Sequence, residues 1–421
     1  MKKYKLIGLA VAVSTVSSVA SHAADPLSIS FVQNGQTAAA GFSSLSELFD
    51  LAKNESAIQQ RFGTINFNAD QASSSTINYL GLNWNFTSSV YTGNAQSLSF
   101  SVPELGISEV FVGLGGTAND ARKDAYNQLV NYLKANSGSV YTQIQKWVVA
   151  KTPNSSIAGN PGSIQTLQAA ADFDLGVTSL ASRVISPGNG DARIPNLIGL
   201  GFTYGHFKQG DIETSTKTIP LSYTWRSDSD SRRQVIISAP ITLGSVGKAS
   251  TYAGQFSLAT RIPVSKSWTL TPAVGYGLAA SVDLAQAAQQ MSASLSSAYV
   301  LSSSADGNTL AIGNMVGHYR TLKLKVDDYE FDPKVANTVF RNGVMYTIPF
   351  SAGGHKMATE FTYVNTLFTG SETYTKSQNE VGFTVGTDRE SKGLASYLRG
   401  GLALVQAKNS NGWRLSFGYW F

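Results

Sequence analysis

The last nine residues of the chain alternate between two kinds of side chain. The bulky apolar set consists of Trp413, Leu415, Phe417, Tyr419 and Phe421. The intervening positions are Arg414, Ser416, Gly418 and Trp420. Because successive side chains of a β-strand point to opposite faces, a period of two predicts a strand whose two faces meet different environments.

This ending resembles the C-terminal signal of Gram-negative outer-membrane β-barrel proteins, in which alternate aromatic or aliphatic residues lead to a terminal Phe. In that family the signal is read by the barrel-assembly machinery. The resemblance covers Trp413 to Phe421 and the N-terminal segment described below, and it is specific to the class. It implies a location in the bacterial outer membrane, with membrane lipid and the assembly machinery as partners.

The same alternation recurs upstream and gives, with the last strand, ten strand candidates. The other nine lie at 198–204, 219–225, 235–243, 252–262, 268–278, 340–350, 361–367, 381–385 and 394–406. Two more strands are expected within 282–334, from residues 295–301 and 322–326, although 282–296 is equally compatible with a short helix. Most candidates reach about ten residues with their flanks, which is enough to cross a bilayer when tilted.

Antiparallel barrels made from one chain usually have an even number of strands. We therefore predict an all-β transmembrane antiparallel barrel of about twelve strands over residues 196–421. A secreted β-sandwich would also alternate, but its strands would be shorter and its outer face polar.

The first 23 residues predict a secretory signal peptide. Lys2, Lys3 and Lys5 form a basic start, a short apolar stretch follows as far as Val19, and small residues precede the expected cut after Ala23. We expect the chain to be exported through the inner membrane and the signal peptide to be cleaved.

Residues 24–160 follow a different pattern, which predicts an exported α+β or mainly helical domain. The sequence from Ser44 to Glu47 is typical of a helix capping box. Helical periodicity is found in three segments, 45–61, 120–135 and 140–150. The alternating segments at 80–86 and 98–102 fit either a hairpin of this domain or two further barrel strands.

Residues 161–195 are interpreted as a linker with a helix that lies in the barrel lumen. Lys151 to Gly162 contains Pro153 and Pro161 among Asn, Ser and Gly, a composition typical of linkers. Residues 164–173 predict a helix made slim by three consecutive alanines. The arrangement is similar to that of autotransporters, in which a helix before the barrel marks the route of an N-terminal passenger, although this chain lacks the long repeats of most passengers.

Composition changes this picture little. Only 14% of the residues are charged, against about 25% in a typical soluble domain. The absence of Cys excludes disulfides, zinc ribbons and Cys nucleophiles. Without the three lysines of the signal peptide, 29 basic residues face 27 acidic ones, which gives no reason to expect a nucleic-acid partner.

Candidate chemistry is sparse. Residues 113–118 fit a dinucleotide-binding fingerprint, but no acidic residue follows at the required distance, so a Gly-rich turn into a helix is expected. His206, His318 and His355 have no triad spacing, and the acidic segments 228–230 and 327–332 lack the Gly and final Glu of a calcium loop. We expect no enzyme activity, no cofactor and no metal site.

Six charged residues fall on the polar faces of the predicted strands, namely Arg261, Arg341, Lys356, Glu360, Arg399 and Arg414. They either line a pore and set its ion preference or pair with one another across a closed lumen. The predicted function is transport, or translocation and display of the N-terminal domain. The alternative is a structural or adhesive surface protein anchored by the barrel, and the solute or receptor is left open.

Overall fold

A computed structural model describes residues 25–63, 65–177, 196–326, 329–387 and 398–420. The predicted signal peptide, Asp327, Asp328 and Phe421 lie outside the described residues.

The N-terminal domain is built on a six-stranded antiparallel sheet in the order β2-β1-β3-β4-β5-β6. The strands are β1 (Leu27–Gln33), β2 (Gln36–Phe42), β3 (Ser73–Tyr79), β4 (Leu82–Ser88), β5 (Ala95–Val102) and β6 (Ile107–Leu114), with a 3₁₀ turn at Pro103–Leu105. The segments at 80–86 and 98–102 therefore belong to this sheet and not to the barrel.

Four helices accompany the sheet, namely α1 (Leu45–Lys53), α2 (Glu55–Arg61), α3 (Ala118–Ala135) and α4 (Ser137–Lys151). The single helix expected over 45–61 is two helices. Asn54 adopts an extended conformation (φ −121°, ψ 111°), and its side chain accepts hydrogen bonds from the backbone N–H groups of Ser56 and Ala57. A residue that caps a new helix cannot continue the previous one, so the chain turns there.

The second part of the chain is a sheet closed on itself. Its strands are β7 (Leu197–Gln209), β8 (Ile212–Ile219), β9 (Leu221–Arg226), β10 (Gln234–Ser238), β11 (Ile241–Val246), β12 (Ala249–Pro263), β13 (Trp268–Ser281), β14 (Gln286–Ser303), β15 (Thr309–Leu322), β18 (Ala336–Ala352), β19 (His355–Gly370), β20 (Ser377–Thr387), β21 (Arg399–Ala407) and β22 (Ser410–Trp420). A small hairpin of β16 (Leu324–Val326) and β17 (Tyr329–Phe331) lies between β15 and β18.

These strands form a closed antiparallel barrel of twelve strands. β8 and β9 act as one strand interrupted at Pro220, and β10 and β11 as one strand interrupted at Pro240, because proline has no N–H to donate to the ladder. Pairing of β22 with β7 closes the barrel. The predicted barrel of about twelve strands is confirmed.

Two details of the strand prediction differ. Residues from Gln286 onward form strand β14, so the helical alternative for 282–296 is wrong. The remaining strand is β15, which ends at Leu322, whereas residues 324–326 belong to the small hairpin.

The barrel has two distinct ends. At one end, here called the terminal end, β7 begins and β22 finishes. The opposite end, here called the capped end, carries the turns at 210–211, 247–248, 282–285 and 408–409 and the longer connections 323–335 and 371–376. The N-terminal domain contacts the capped end.

Candidate functional site

The outward face of the barrel is an apolar belt. Large apolar side chains remain exposed on each of the twelve strands, for example Phe202, Trp225, Leu243, Leu258, Tyr276, Leu295, Val316, Tyr346, Phe361, Phe383, Leu404 and Phe417. Water-soluble monomers rarely expose contiguous apolar surface on this scale. Such a belt is typical of a barrel surrounded by lipid.

The last strand contributes to this belt as its alternation predicts. Leu415 and Phe417 are exposed on the outer face, and the Trp413 ring lies 5.4 Å from that of Tyr204 and 5.9 Å from that of His206. The side chain of Tyr419 and the whole of Phe421 lie outside the described residues. Recognition of this strand by the assembly machinery stays a prediction.

Helix α5 (Ile164–Val177) lies inside the barrel against β12, β13, β14, β15 and β18. With 14 residues it is about 21 Å long. It begins near the capped end, where Ile164 faces Gly277, and reaches Val177, which packs against Ala298 and Ala311 towards the terminal end. The helix therefore follows the axis of the barrel for much of its height.

Polar contacts fix one side of α5 to the barrel wall. The Gln168 amide donates to Ser292 Oγ at 3.0 Å, and the Asn337 amide donates to Gln165 Oε1 at 2.9 Å. The buried Asp172 carboxylate accepts hydrogen bonds from the Tyr319 hydroxyl at 2.9 Å and from Ser257 at 3.2 Å. These hydrogen bonds between buried groups hold this side of the helix against the wall.

Glycines in the wall make room for α5. A Cβ added at Gly275 would lie 2.5 Å from Gln168 Nε2, and one added at Gly313 would lie 2.3 Å from Val177 Cγ1. Side chains at these positions would displace the helix. The wall that receives α5 is therefore shaped for it.

The six predicted charged residues do not share one role. Arg341 pairs with Glu380 at 2.9 Å, Arg414 pairs with the same carboxylate at 3.2 Å, and Arg399 pairs with Glu360 at 3.2 Å. Arg261 donates to Gln234 at 2.7 Å and also to the backbone carbonyl of Leu175. Lys356, by contrast, is exposed beside the turn between β18 and β19.

Sequence reasoning missed several lumen residues. Glu380 occupies the inward face of β20 together with Gln378, and the alternation of that strand was a sufficient signal for it. Asp172 and Tyr319 gave no signal, because their pairing joins residues far apart in the sequence. On the other side of α5, Asp174 and the inward-facing Ser416 are exposed, so the helix packs against one side of the lumen.

Residues 152–163, here called the mouth segment, close the capped end. The Gln209 amide donates to Asn160 Oδ1 at 3.1 Å, and Ser156 Oγ donates to Gln286 Oε1 at 2.7 Å. Gly159 adopts φ +87°, and its carbonyl accepts from the N–H of Thr375. Most of the segment is buried, so this stretch of linker-like composition is a fixed part of the barrel mouth.

The N-terminal domain is attached to the capped end by specific contacts. The Tyr79 hydroxyl donates to the Leu284 carbonyl at 2.8 Å, and burial raises the pKa of Tyr79 above its usual range, so the hydroxyl stays protonated. Lys248 pairs with Asp25 at 2.9 Å, and Thr142 Oγ1 donates to the Asp332 carbonyl at 2.9 Å. Domain and barrel share one apolar cluster that includes Leu284.

The remaining sequence candidates lie in ordinary structural settings. A Cβ at Gly113 would lie 1.9 Å from the Ala121 carbonyl, so this glycine lets α3 pack closely against β6. His206 and His318 lie on the outer face of the barrel, and His355 lies at a turn. In the described part of the chain, no group of three or more His, Asp or Glu side chains is arranged to hold a metal ion.

No helix within the described ranges is long and apolar enough to cross a membrane.

Solved structures similar to this chain are outer-membrane proteins. The beta domain of the Bordetella autotransporter BrkA has 11% identity and a TM-score of 0.41, over 54% of this chain and 98% of its own. The translocator domain of the autotransporter NalP from Neisseria meningitidis has 11% identity and a TM-score of 0.38, over 61% and 95%. The KdgM porin has 9% identity and a TM-score of 0.32, over 52% and 98%.

Likenesses of this size do not distinguish translocation from conduction, since both kinds of protein are among them. No family model matches the sequence, and no curated protein sequence matches it.

Proposed function

We propose that the barrel lies in the bacterial outer membrane and displays the N-terminal domain on the cell surface. The observation that carries this proposal is the path of the chain. The domain sits at the capped end, α5 runs through the lumen, and β7 begins at the terminal end. The chain therefore connects the domain to the barrel by passing through it.

The orientation follows from the last strand. If that strand is the signal read by the assembly machinery, which meets an exported chain on the periplasmic side, the terminal end faces the periplasm. The capped end and its domain then face the exterior. This orientation is part of the proposal.

Display is favoured over solute conduction by the contents of the lumen. The mouth segment is hydrogen-bonded to the capped end, α5 occupies one side of the lumen, and Arg341 and Arg414 are paired with Glu380. A conducting pore instead needs charged or polar groups that face a continuous water path.

We also propose that the protein is not an enzyme, in agreement with the separate positions of its three described histidines.

Treatment of intact cells with a site-specific protease that cleaves the protein tests the orientation. One variant carries the protease recognition sequence at Asn34–Gly35, the exposed turn between β1 and β2 of the domain. The matched control carries it at Gly353–Gly354, an equally open turn at the terminal end. We expect cleavage of the first variant in intact cells, and cleavage of the second only after the outer membrane is permeabilised. The opposite pattern would place the domain in the periplasm.

A further inference from the structure

A pocket lies inside the N-terminal domain, between the inner face of the sheet and helices α1, α2 and α3. Its cavity volume is about 130 Å³, and it is partly open to solvent. Small-molecule sites are mainly apolar with a few polar groups. The barrel mechanism makes no use of this space.

Much of the pocket lining is apolar and incompletely filled. Its wall includes Phe31, Ile58, Ile77 and Leu129, which are buried. Phe49, Phe86 and Leu98 also line it, yet these side chains are only half-buried. Protein interiors are normally close-packed, so aromatic and aliphatic side chains left in contact with solvent inside a domain favour an apolar ligand that covers them.

Another part of the pocket lining is polar. Gln96 is 2% exposed, and its amide nitrogen donates to the carbonyls of Ala69 and Ser89, both at 2.9 Å. Its Oε1 atom is buried and accepts no hydrogen bond from the described residues. Buried acceptors normally accept a hydrogen bond, so we expect a bound molecule to donate one to this atom.

A cationic group lies in the same pocket. The Arg122 guanidinium lies 6.0 Å from the centre of the Phe67 ring and donates to Asn119 Oδ1 at 2.8 Å. Burial lowers the pKa of Arg122, and the nearby Glu55 carboxylate acts in the opposite direction. A partly desolvated guanidinium binds carboxylate oxygens strongly, because charge-assisted hydrogen bonds gain strength away from water.

We propose that this pocket binds a medium-chain hydroxylated alkyl carboxylate. The alkyl chain covers Phe49, Phe86 and Leu98, the carboxylate accepts from Arg122, and the hydroxyl donates to Gln96 Oε1. This inference concerns the N-terminal domain alone and does not depend on which side of the membrane the domain occupies.

Calorimetric titration of the full chain in lipid nanodiscs tests the proposal, with 3-hydroxydecanoate, decanoate and 1-decanol as probes. We expect saturable binding of one 3-hydroxydecanoate per chain, with decanoate and then 1-decanol binding more weakly. Partition into the lipid is not saturable, so uptake without saturation by the unaltered protein would overturn the proposal.

Three variants locate the site. Leu98→Trp places a bulky ring in the pocket and should abolish saturable binding. Arg122→Gln should weaken 3-hydroxydecanoate binding by about tenfold or more while leaving 1-decanol unchanged. Val112→Trp alters the exposed opposite face of the sheet and should bind as the unaltered protein does. Retained binding by a folded Leu98→Trp protein, with native circular dichroism, would place the ligand elsewhere and overturn the proposal.

Discussion

Phe361 and Thr362 are neighbours on β19, yet their side chains leave the barrel wall on opposite sides. Phe361 is 47% exposed in the outer belt, whereas Thr362 is paired with Gly382 on the inner face. A charge placed on the outer side must enter lipid, but a charge placed on the inner side can reach the polar lumen. The same substitution therefore has different consequences at adjacent positions.

Phe361→Arg is expected to lower the free energy of unfolding by about 2–4 kcal/mol, the range for Arg near the middle of a bilayer. Thr362→Arg, the matched control, should lower the free energy of unfolding by clearly less. Denaturant unfolding of the protein refolded into lipid vesicles measures both values. Equal costs at the two positions would contradict the facing of β19.

The buried Glu380 carboxylate pairs with two arginines, and its removal should lower the free energy of unfolding. Glu380→Gln leaves Arg341 and Arg414 without their shared partner, and loss of one member of a buried ion pair costs about 3–5 kcal/mol. We expect the lower end of this range, because Asp174 stays within electrostatic reach of both arginines.

The same vesicle assay measures this cost. Glu372→Gln is the control, since Glu372 pairs with Lys151 in full contact with solvent. Surface ion pairs contribute little to stability, so this variant should unfold as the unaltered protein does. A Glu380→Gln protein of unchanged stability would show that the lumen charges are solvated rather than paired.

At the scale of whole elements, the barrel strands were the easiest to predict. The alternation along a barrel strand indicates which side chains face outward and which face the lumen. In 361–367, for example, outward apolar residues alternate with inward polar ones. The strands of the N-terminal sheet were harder, because β2 (QTAAAGF) has few bulky residues with which to mark a face. The break at Asn54 was also missed, since helical periodicity continues across it.

The contents of the lumen were only partly predictable. The small residues of 164–173 indicated a slim helix, and α5 covers them. The composition of the mouth segment instead predicted an exposed linker. Asn, Ser, Gly and Pro are as suited to such a linker as to a buried segment. Its partners Gln209 and Gln286 are far away in the sequence, so nothing local distinguishes a buried segment from a solvated one. The ion pairs likewise depend on which strands become neighbours.

Removal of the mouth segment and α5 together should open the barrel to ions. The intact chain is expected to show small or rare conductance steps in planar bilayers, because both elements occupy the lumen. Deletion of residues 152–177 should produce larger and more frequent steps, since a twelve-stranded barrel is wider than the eight-stranded barrels that side chains alone can fill. Absence of conductance in both proteins would indicate a lumen closed by its own side chains.

At the scale of the whole molecule, assembly should depend on the end of the last strand. Deletion of Phe421 is expected to reduce the amount of folded protein in the outer membrane, if the alternating residues from Trp413 onward are the assembly signal. Heat-modifiable mobility on gels measures the folded fraction. The control replaces inward-facing Ser416 by Ala, which leaves the apolar alternation intact. Unchanged insertion after deletion of Phe421 would argue against recognition of this terminus.

The path of the chain through the barrel also restricts the order of folding events. The six-stranded sheet of the N-terminal domain is about 24 Å wide between the backbones of its edge strands, even without the helices that pack on it. A twelve-stranded barrel measures roughly 24 Å between backbones, before its side chains narrow it. A finished domain cannot fit through such an opening, so a domain that crosses by this route must cross as an unfolded chain. Its sheet then forms last, on the far side, and the free energy released there keeps the chain from sliding back.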